Sequence, residues 1–254
     1  MTTHLDGQSS LDPGHPRIQI LLGALPKDRQ TILEIGARHG SITRLLRERF
    51  ASVTALDLEK PSWQLDGVNL VQGDVQKLEF ADNSFDCVMC TEVLEHVPDV
   101  VSAAREIQRV ARHEMIISVP YRQDTRVGRL TCSNCGKINP PYGHLNRFSE
   151  QTLRDLFPGS KLVEVELIGQ SKERTNALSS WLQDCAGNPY GDYNQEEPCV
   201  ACGVKFKDPG PLSFSQRLLT AGALTLVKVQ DLFLSPQPIW IQCLFRKASS
   251  GSAL

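Results

Sequence analysis

Short apolar runs alternate with stretches of helical spacing along the first half of the chain. Thr31–Ile35, Ser52–Leu58, Val68–Gln72, Phe85–Cys90 and Met115–Val119 are brief and mostly apolar, and they read as strands. Between them, Arg17–Leu25, Ser41–Phe50 and Asp99–His113 set apolar residues three and four apart, as a half-buried helix does. Ile42, Leu45 and Leu46 form the stripe of the second helix, and Val100, Ala103, Ala104, Ile107 and Val110 that of the third. Ser41 is the expected N-cap of the second helix, and Pro120 stops the fifth strand. Strands that are apolar on both faces and alternate with helices imply a parallel sheet covered on two sides. Farther on, Ser149–Phe157 reads as a helix, and Lys161–Ile168 and Pro238–Phe245 as strands. No short crossover joins these last two, so they are expected as an antiparallel pair at one edge.

Residues 121–148 and 171–237 interrupt this alternation. Both are rich in Pro, Gly, Asn and Cys, and each holds one Cys-x-x-Cys pair, so they read as insertions into the α/β domain. The expected organisation is a tail (1–16), an α/β core (17–120), a first insertion (121–148), a core helix and strand (149–170), a second insertion (171–237), a last core strand (238–247) and a short tail (248–254). Within the second insertion, Leu212–Leu234 is helical in spacing and unusually apolar, yet carries Arg217, Lys228, Gln230 and Asp231. It is expected to act as a lid over the sheet or over a greasy acceptor, with docking on a membrane surface as the alternative.

Composition narrows the class. Hydrophobic residues make up 41% of the 254 and charged residues 22%, ordinary for a globular protein. The net charge of -2 gives no global field that would recruit nucleic acid or anionic lipid. No run approaches the roughly 20 apolar residues of a membrane span, and the first residues lack a signal-peptide pattern, so a cytoplasmic location is expected. In that compartment, eight cysteines suggest metal before disulfide. Cys132-Ser-Asn-Cys135-Gly and Cys199-Val-Ala-Cys202-Gly are matching knuckles. Two residues between thiolates let both sulfurs face one ion, and the glycine permits the tight turn. Four thiolates make the closed, structural kind of zinc site; a redox pair or free thiols are the alternatives. Cys87 and Cys90 lie in a strand and, with Cys243, are expected in the core, while Cys185 is expected as a free thiol.

Glu34-Ile-Gly36-Ala37-Arg38-His39-Gly40 falls at a strand end and opens a helix, where small residues let backbone approach a ligand and helix N–H groups face an anion. Asp57 ends the next strand, placed to accept from ribose hydroxyls, and Asp74 ends the third, placed to accept from an adenine amino group. A dinucleotide site fits less well, because a pyrophosphate needs glycine where Arg38 stands. With Phe85-Asp86 and Thr91-Glu92-Val93-Leu94-Glu95-His96-Val97-Pro98-Asp99 added, the chain resembles the small-molecule type of class I S-adenosylmethionine (SAM)-dependent methyltransferase. The resemblance spans residues 31–120, and the edge strands extend it to about residue 247. It implies a Rossmann-like seven-stranded sheet with an antiparallel last strand, and cofactor contacts at Glu34, Gly36, Ala37, Gly40, Asp57, Asp74, Val75 and Thr91. Arg38 departs from the family's usual glycine; a left-handed backbone there would cost on the order of 1 kcal/mol.

For chemistry, His144 is the favoured base among His144, Tyr142, Tyr121, His39 and His96, with a hydrogen-bonded loop histidine as its plain alternative. Glu92-x-x-Glu95-His96 would set three ligand types on one helix face. It resembles the metal site of small-RNA 2′-O-methyltransferases, with His144 completing a set for a second divalent ion, and that of some quinone-pathway O-methyltransferases; the alternative is the same helix start as it occurs in methyltransferases without metal. Arg122, Arg126, Arg129 and Lys137 surround the first knuckle and could hold a phosphate or carboxylate, unless Glu196 and Glu197 neutralise them. The expected function is methyl transfer to a small-molecule or glycan-type acceptor, with zinc building the substrate-side wall. The alternatives are an RNA methyltransferase that reads through its knuckles and a non-catalytic, zinc-clamped binding module.

Overall fold

The computed structural model describes residues 15–248. The expected tails therefore lie outside the described residues, apart from His15, Pro16 and Ala248. The described residues divide into two compact units: one of residues 15–120, 148–168 and 240–248, the other of 121–147 and 169–239.

The first unit is built on one seven-stranded sheet. Its strands are β1 (Thr31–Ile35), β2 (Ser52–Asp57), β3 (Val68–Gln72), β4 (Phe85–Thr91), β5 (Ala111–Pro120), β8 (Ser160–Ile168) and β9 (Trp240–Lys247). They lie in the order β3-β2-β1-β4-β5-β9-β8. β1 to β5 are parallel, and β9 runs antiparallel between β5 and β8. The mixed sheet forms as expected, with its antiparallel pair at one edge. β4 lies at the centre, and every one of its seven residues is buried, as a strand covered on both faces requires.

Helices α1 (Pro16–Gly23) and α2 (Ser41–Arg47) contribute to a cluster in which Ile18, Leu21, Leu22 and Leu46 meet Ile32, Val53, Met89 and Ile116. α3 (Val100–Val110) buries Ala103, Ala104, Ile107 and Val110, the stripe its spacing foretold. Asp99 caps it by accepting from the Ser102 N–H at 3.0 Å. α4 (Glu150–Leu156) starts on a reciprocal Ser149–Thr152 capping box.

The helices α2 and α3 depart from their expected boundaries. Ser41 is the first helical residue of α2, and the cap is Gly40, in the left-handed conformation with no side-chain hydrogen bond. α3 ends three residues early because Ala111 already pairs with Phe85. Arg112 then reaches Asp86 at 2.7 Å, and Glu114 takes both Arg29 nitrogens at 2.8 and 2.9 Å. Those ion pairs let a polar stretch enter the sheet.

The second unit contains the two-residue strands β6 (Leu130–Thr131) and β7 (Ile138–Asn139), and helices α5 (Ala177–Cys185) and α6 (Phe214–Asp231), which pack on each other. α6 is shorter than its apolar run, since Ser213 and Gln216 form a capping box at its start. It buries Thr220 and Ala223 and leaves Phe214, Leu218 and Leu224 exposed.

Ile116 is fully buried in the middle of β5. Ile116→Ala is expected to lower stability by about 2–5 kcal/mol, the range for emptying such a site, read from the denaturant midpoint followed by tryptophan fluorescence.

Candidate functional site

Four strand ends, those of β3, β2, β1 and β4, carry the residues proposed for the cofactor. After β1 the chain turns through Gly36 (φ 86°), Arg38 (φ 36°) and Gly40 (φ 72°), three left-handed residues in five. The N–H groups of Gly36 and Ala37 both donate to the Leu56 carbonyl, at 2.8 and 3.2 Å, and tie the turn to β2. A Cβ at Gly36 would stand 2.3 Å from Val93 Cγ2, so only glycine fits against the segment after β4. Asp57 accepts from the Arg38 N–H at 2.8 Å and from the Glu59 N–H at 3.2 Å. The left-handed Arg38 foreseen as a strained departure is therefore held by the acid at the next strand end. The Trp63 indole N–H donates to the Arg38 carbonyl at 2.6 Å, and its ring lies against Gly40. Trp63 carries no sequence signal for this role, since it sits in an irregular loop. At the third strand end, Gly73 donates to the Asp57 carbonyl at 2.9 Å, Asp74 accepts from the Gln76 N–H at 2.9 Å, and Val75 is buried. Glu34, Gly36, Ala37, Gly40, Asp57, Asp74, Val75 and Thr91 thus lie along one edge of one sheet.

Two carboxyl groups beside this edge are buried. Glu34 is 2% exposed and its Oε2 has no hydrogen-bond partner. Burial, helped by the charge of Asp57, pushes it up to about 7. Glu95 is 1% exposed, and no donor reaches either of its oxygens. Burial pushes it to about 7 as well, against the opposing pull of Arg17. Arg17 is itself buried, bonds to Glu92 and stacks 3.8 Å from the centre of the Trp240 ring. Burial lowers its guanidinium to about 10.

This arrangement corrects the expectation for Glu92, Glu95 and His96. They do not share a helix face: Glu92 is left-handed (φ 56°), and the helical stretch here is a single 3-10 turn over Leu94–His96. Glu92 is taken by Arg17.

In the second unit, the knuckles are built alike. Cys132 N–H donates to the Lys137 carbonyl at 2.9 Å and Gly136 N–H to the Cys132 carbonyl at 2.8 Å. Cys199 and Val204, and Gly203 and Cys199, repeat those bonds at 3.0 and 2.8 Å. Gly136 (φ 71°) and Gly203 (φ 69°) make the same left-handed turn. Asn139 on β7 accepts from the Val200 N–H at 2.9 Å and joins one knuckle to the other. The sulfur pairs Cys132–Cys202 and Cys135–Cys199 are each 3.7 Å apart, and all four sulfurs lie within 4.8 Å of one another. A tetrahedron of Zn–S bonds near 2.3 Å has edges of about 3.8 Å, so the cluster is compatible with zinc. Cys185 stands outside it, and Cys87, Cys90 and Cys243 are buried in the sheet.

His144 is buried, and its Nδ1 lies 2.6 Å from Gln123 Oε1. An amide oxygen can only accept, so Nδ1 is the donor in this bond. Of the basic residues named from the sequence, Arg126 is paired with Asp124 and Arg129 with Asp184, both at 2.8 Å. Lys137 is exposed on the first knuckle.

Comparison with known proteins agrees with this geometry. Residues 33–118 match the family described as "Methyltransferase domain". Ubiquinone biosynthesis O-methyltransferase of Alkalilimnicola ehrlichii is 33% identical over 101 residues, covering 36% of this chain and 40% of that protein. Phthiotriol/phenolphthiotriol dimycocerosates methyltransferase 1 of Mycobacterium ulcerans is 26% identical over 177 residues, covering 65% and 46%. The chain thus spans under half the length of these curated relatives. An S-adenosylmethionine dependent methyltransferase from Mesorhizobium loti shares the fold with a TM-score of 0.54 at 16% identity, covering 93% of this chain and all of that one. Residues 33–118 are thus similar to a methyltransferase domain, and the sheet shares the fold of solved SAM-dependent methyltransferases.

Gly36→Ala and Gly136→Ala separate backbone strain from crowding. Nothing lies within 4 Å of a Cβ at Gly136, so that change is expected to lose about 1 kcal/mol of stability from strain alone. Gly36→Ala should lose more, about 2–4 kcal/mol, in paired denaturation curves.

Proposed function

We propose that this protein is a SAM-dependent methyltransferase acting on a small-molecule acceptor. The observation that carries the proposal is the turn at Gly36–Gly40, bonded to Asp57 and pressed on Val93 at the carboxyl edge of a parallel sheet, where open α/β folds take their ligands. The site's own chemistry fits the cofactor. Glu34 offers a buried carboxylate oxygen with no partner. SAM would supply an electrophilic methyl on a cationic sulfonium.

In this reading, Asp57 takes the ribose hydroxyls with the lone pairs left over from its two backbone bonds. Asp74 takes the adenine amino group, and Val75 and Thr91 pack on the cofactor. Glu34 places negative charge beside the turn, which favours a cation there. His144 is the proposed base, its ring oriented by the hydrogen bond between Nδ1 and Gln123. The relatives named for ubiquinone biosynthesis and for phthiotriol dimycocerosates favour a small-molecule acceptor over RNA.

Zinc is proposed at Cys132, Cys135, Cys199 and Cys202 as a structural ion. Cys135→Ser should lower bound zinc below one per chain and open residues 121–147 and 169–239 to protease, while far-ultraviolet dichroism from the sheet persists. Retention of both zinc and protease resistance would contradict the assignment.

The cofactor assignment has a pH signature. A carboxyl near 7 is ionised above that value, and a bound cation stabilises the ionised form. SAM affinity measured by calorimetry is therefore expected to be tightest above pH 7 and to fall by up to about tenfold per pH unit below it. Glu34→Gln should flatten the profile. Absence of saturable SAM binding at any pH would remove the methyltransferase reading.

A further inference from the structure

The second unit holds a cleft of about 360 Å³ whose wall includes four arginines, Arg122, Arg126, Arg147 and Arg174, and one acid, Asp124. The acid is already committed. Asp124 is buried, grips Arg126 through both oxygens at 2.8 and 2.9 Å, and accepts from the Thr175 N–H at 3.0 Å. One arginine is thereby neutralised and fixed. Among the described residues the other three have no carboxylate partner. Arg122 stacks on Tyr121 with its guanidinium carbon 5.1 Å from the ring centre. Arg174 donates to the Ser235 carbonyl, and its Nε is sealed from solvent with no acceptor. A sealed, unsatisfied cationic donor is unfavourable, and three like charges around one small cleft repel. An anion in the cleft relieves the repulsion.

The size and the charge together define the ligand. The volume falls in the range of small-molecule sites. A carboxylate brings one charge and two oxygens, enough for one guanidinium fork, whereas a phosphoryl or diphosphoryl group brings two or more charges and enough oxygens for three. We infer that this cleft binds the phosphate or diphosphate of a small-molecule ligand. Its arginines differ from those expected from the sequence, where Arg129 and Lys137 stood beside Arg122 and Arg126. Arg129 is drawn off by Asp184, and Arg147 and Arg174 take the places. Gln123, which orients His144, lies between Arg122 and Asp124, and Arg147 comes three residues after His144. The same two stretches of chain thus present the proposed base and the proposed phosphate clamp. That this phosphate belongs to the methyl acceptor rests on the proposed function; the binding itself does not.

The test is calorimetric titration of the full zinc-loaded chain with inorganic pyrophosphate, without SAM. Saturable one-to-one binding is expected. It should weaken by at least about tenfold in the double variant Arg122→Gln/Arg147→Gln. Both of those side chains are exposed and unpaired with acids, so folding is not at stake. Arg174→Gln should weaken it comparably, and Arg217→Gln, on the exposed face of α6, should not. Co-sedimentation with phosphatidic acid vesicles, against phosphatidylcholine vesicles, identifies the source. Capture lost in the same variants assigns the phosphate to a lipid headgroup, and pyrophosphate binding without capture assigns it to a soluble ester. No binding of either probe, binding equal in all variants, or tighter retention of single-stranded RNA lost in those variants would overturn the inference. A SAM titration on the same sample keeps failure of this site distinct from failure of the cofactor site.

Discussion

The contact between the Gly36 backbone and the Val93 side chain governs the site. β1 and β4 are neighbours in the sheet, so the chain leaving β1 must cross in front of the chain leaving β4. At Gly36 that crossing leaves no room for even one carbon. The left-handed conformation there then directs two successive N–H groups, those of Gly36 and Ala37, onto the Leu56 carbonyl of β2. This one constraint sets the remaining distances: Arg38 comes within reach of Asp57, Gly40 comes against Trp63, and α2 starts with no side chain capping it. A sheet that twisted less, or a bulkier turn, would separate the acids at the ends of β1 and β2.

The buried acids arise from the same packing. Glu34 is the penultimate residue of β1, so the strand's alternation, rather than any preference of the carboxylate, puts it inside. Nothing in the surroundings compensates it fully, which is why its proton is held so firmly. Glu95 has Arg17 close by, but Arg17 bonds to Glu92 and the Trp240 ring and gives Glu95 only its field. Such uncompensated groups lower stability. Both stand at the carboxyl edge of the sheet, where a bound cation would turn an unfavourable burial into a selective one.

Much of the fold was legible because its strands are short, apolar and well separated. The sheet class, the antiparallel last strand and the stripe of α3 all come from spacing. The failures have physical reasons. Ser41 looked like a cap, but a left-handed Gly40 ends the turn one residue sooner. Glu92, Glu95 and His96 had helical spacing, but spacing places side chains only if the backbone is helical, and Glu92 is left-handed. The arginine pattern was half legible: proximity in sequence picked out Arg129 and Lys137, while Asp184, fifty-five residues away from Arg129, decided otherwise. Ion-pair partners this distant leave no local signal. The thiolate knuckles were legible in full because ligand spacing and glycine position are themselves the geometry.

The second unit has little else to hold it. Its strands are two residues long, its buried apolar side chains are few (Leu130, Ala186 and Ala223 among them), and Trp181, Phe214, Leu218, Leu232 and Phe233 stay exposed. A unit with so thin a core gains little from hydrophobic burial. One ion joining Cys132 and Cys135 to Cys199 and Cys202 would close a loop of more than sixty residues, and would so remove chain entropy from the unfolded state where burial cannot compensate for it. The same shortage explains why polar contacts carry so much of this unit. Asp124 holds Arg126 and Thr175, Asn139 links the knuckles, and Asn188 ties Asp184 to Thr131. A polar scaffold of this kind can present several arginines on one wall, because it does not need those positions for a core.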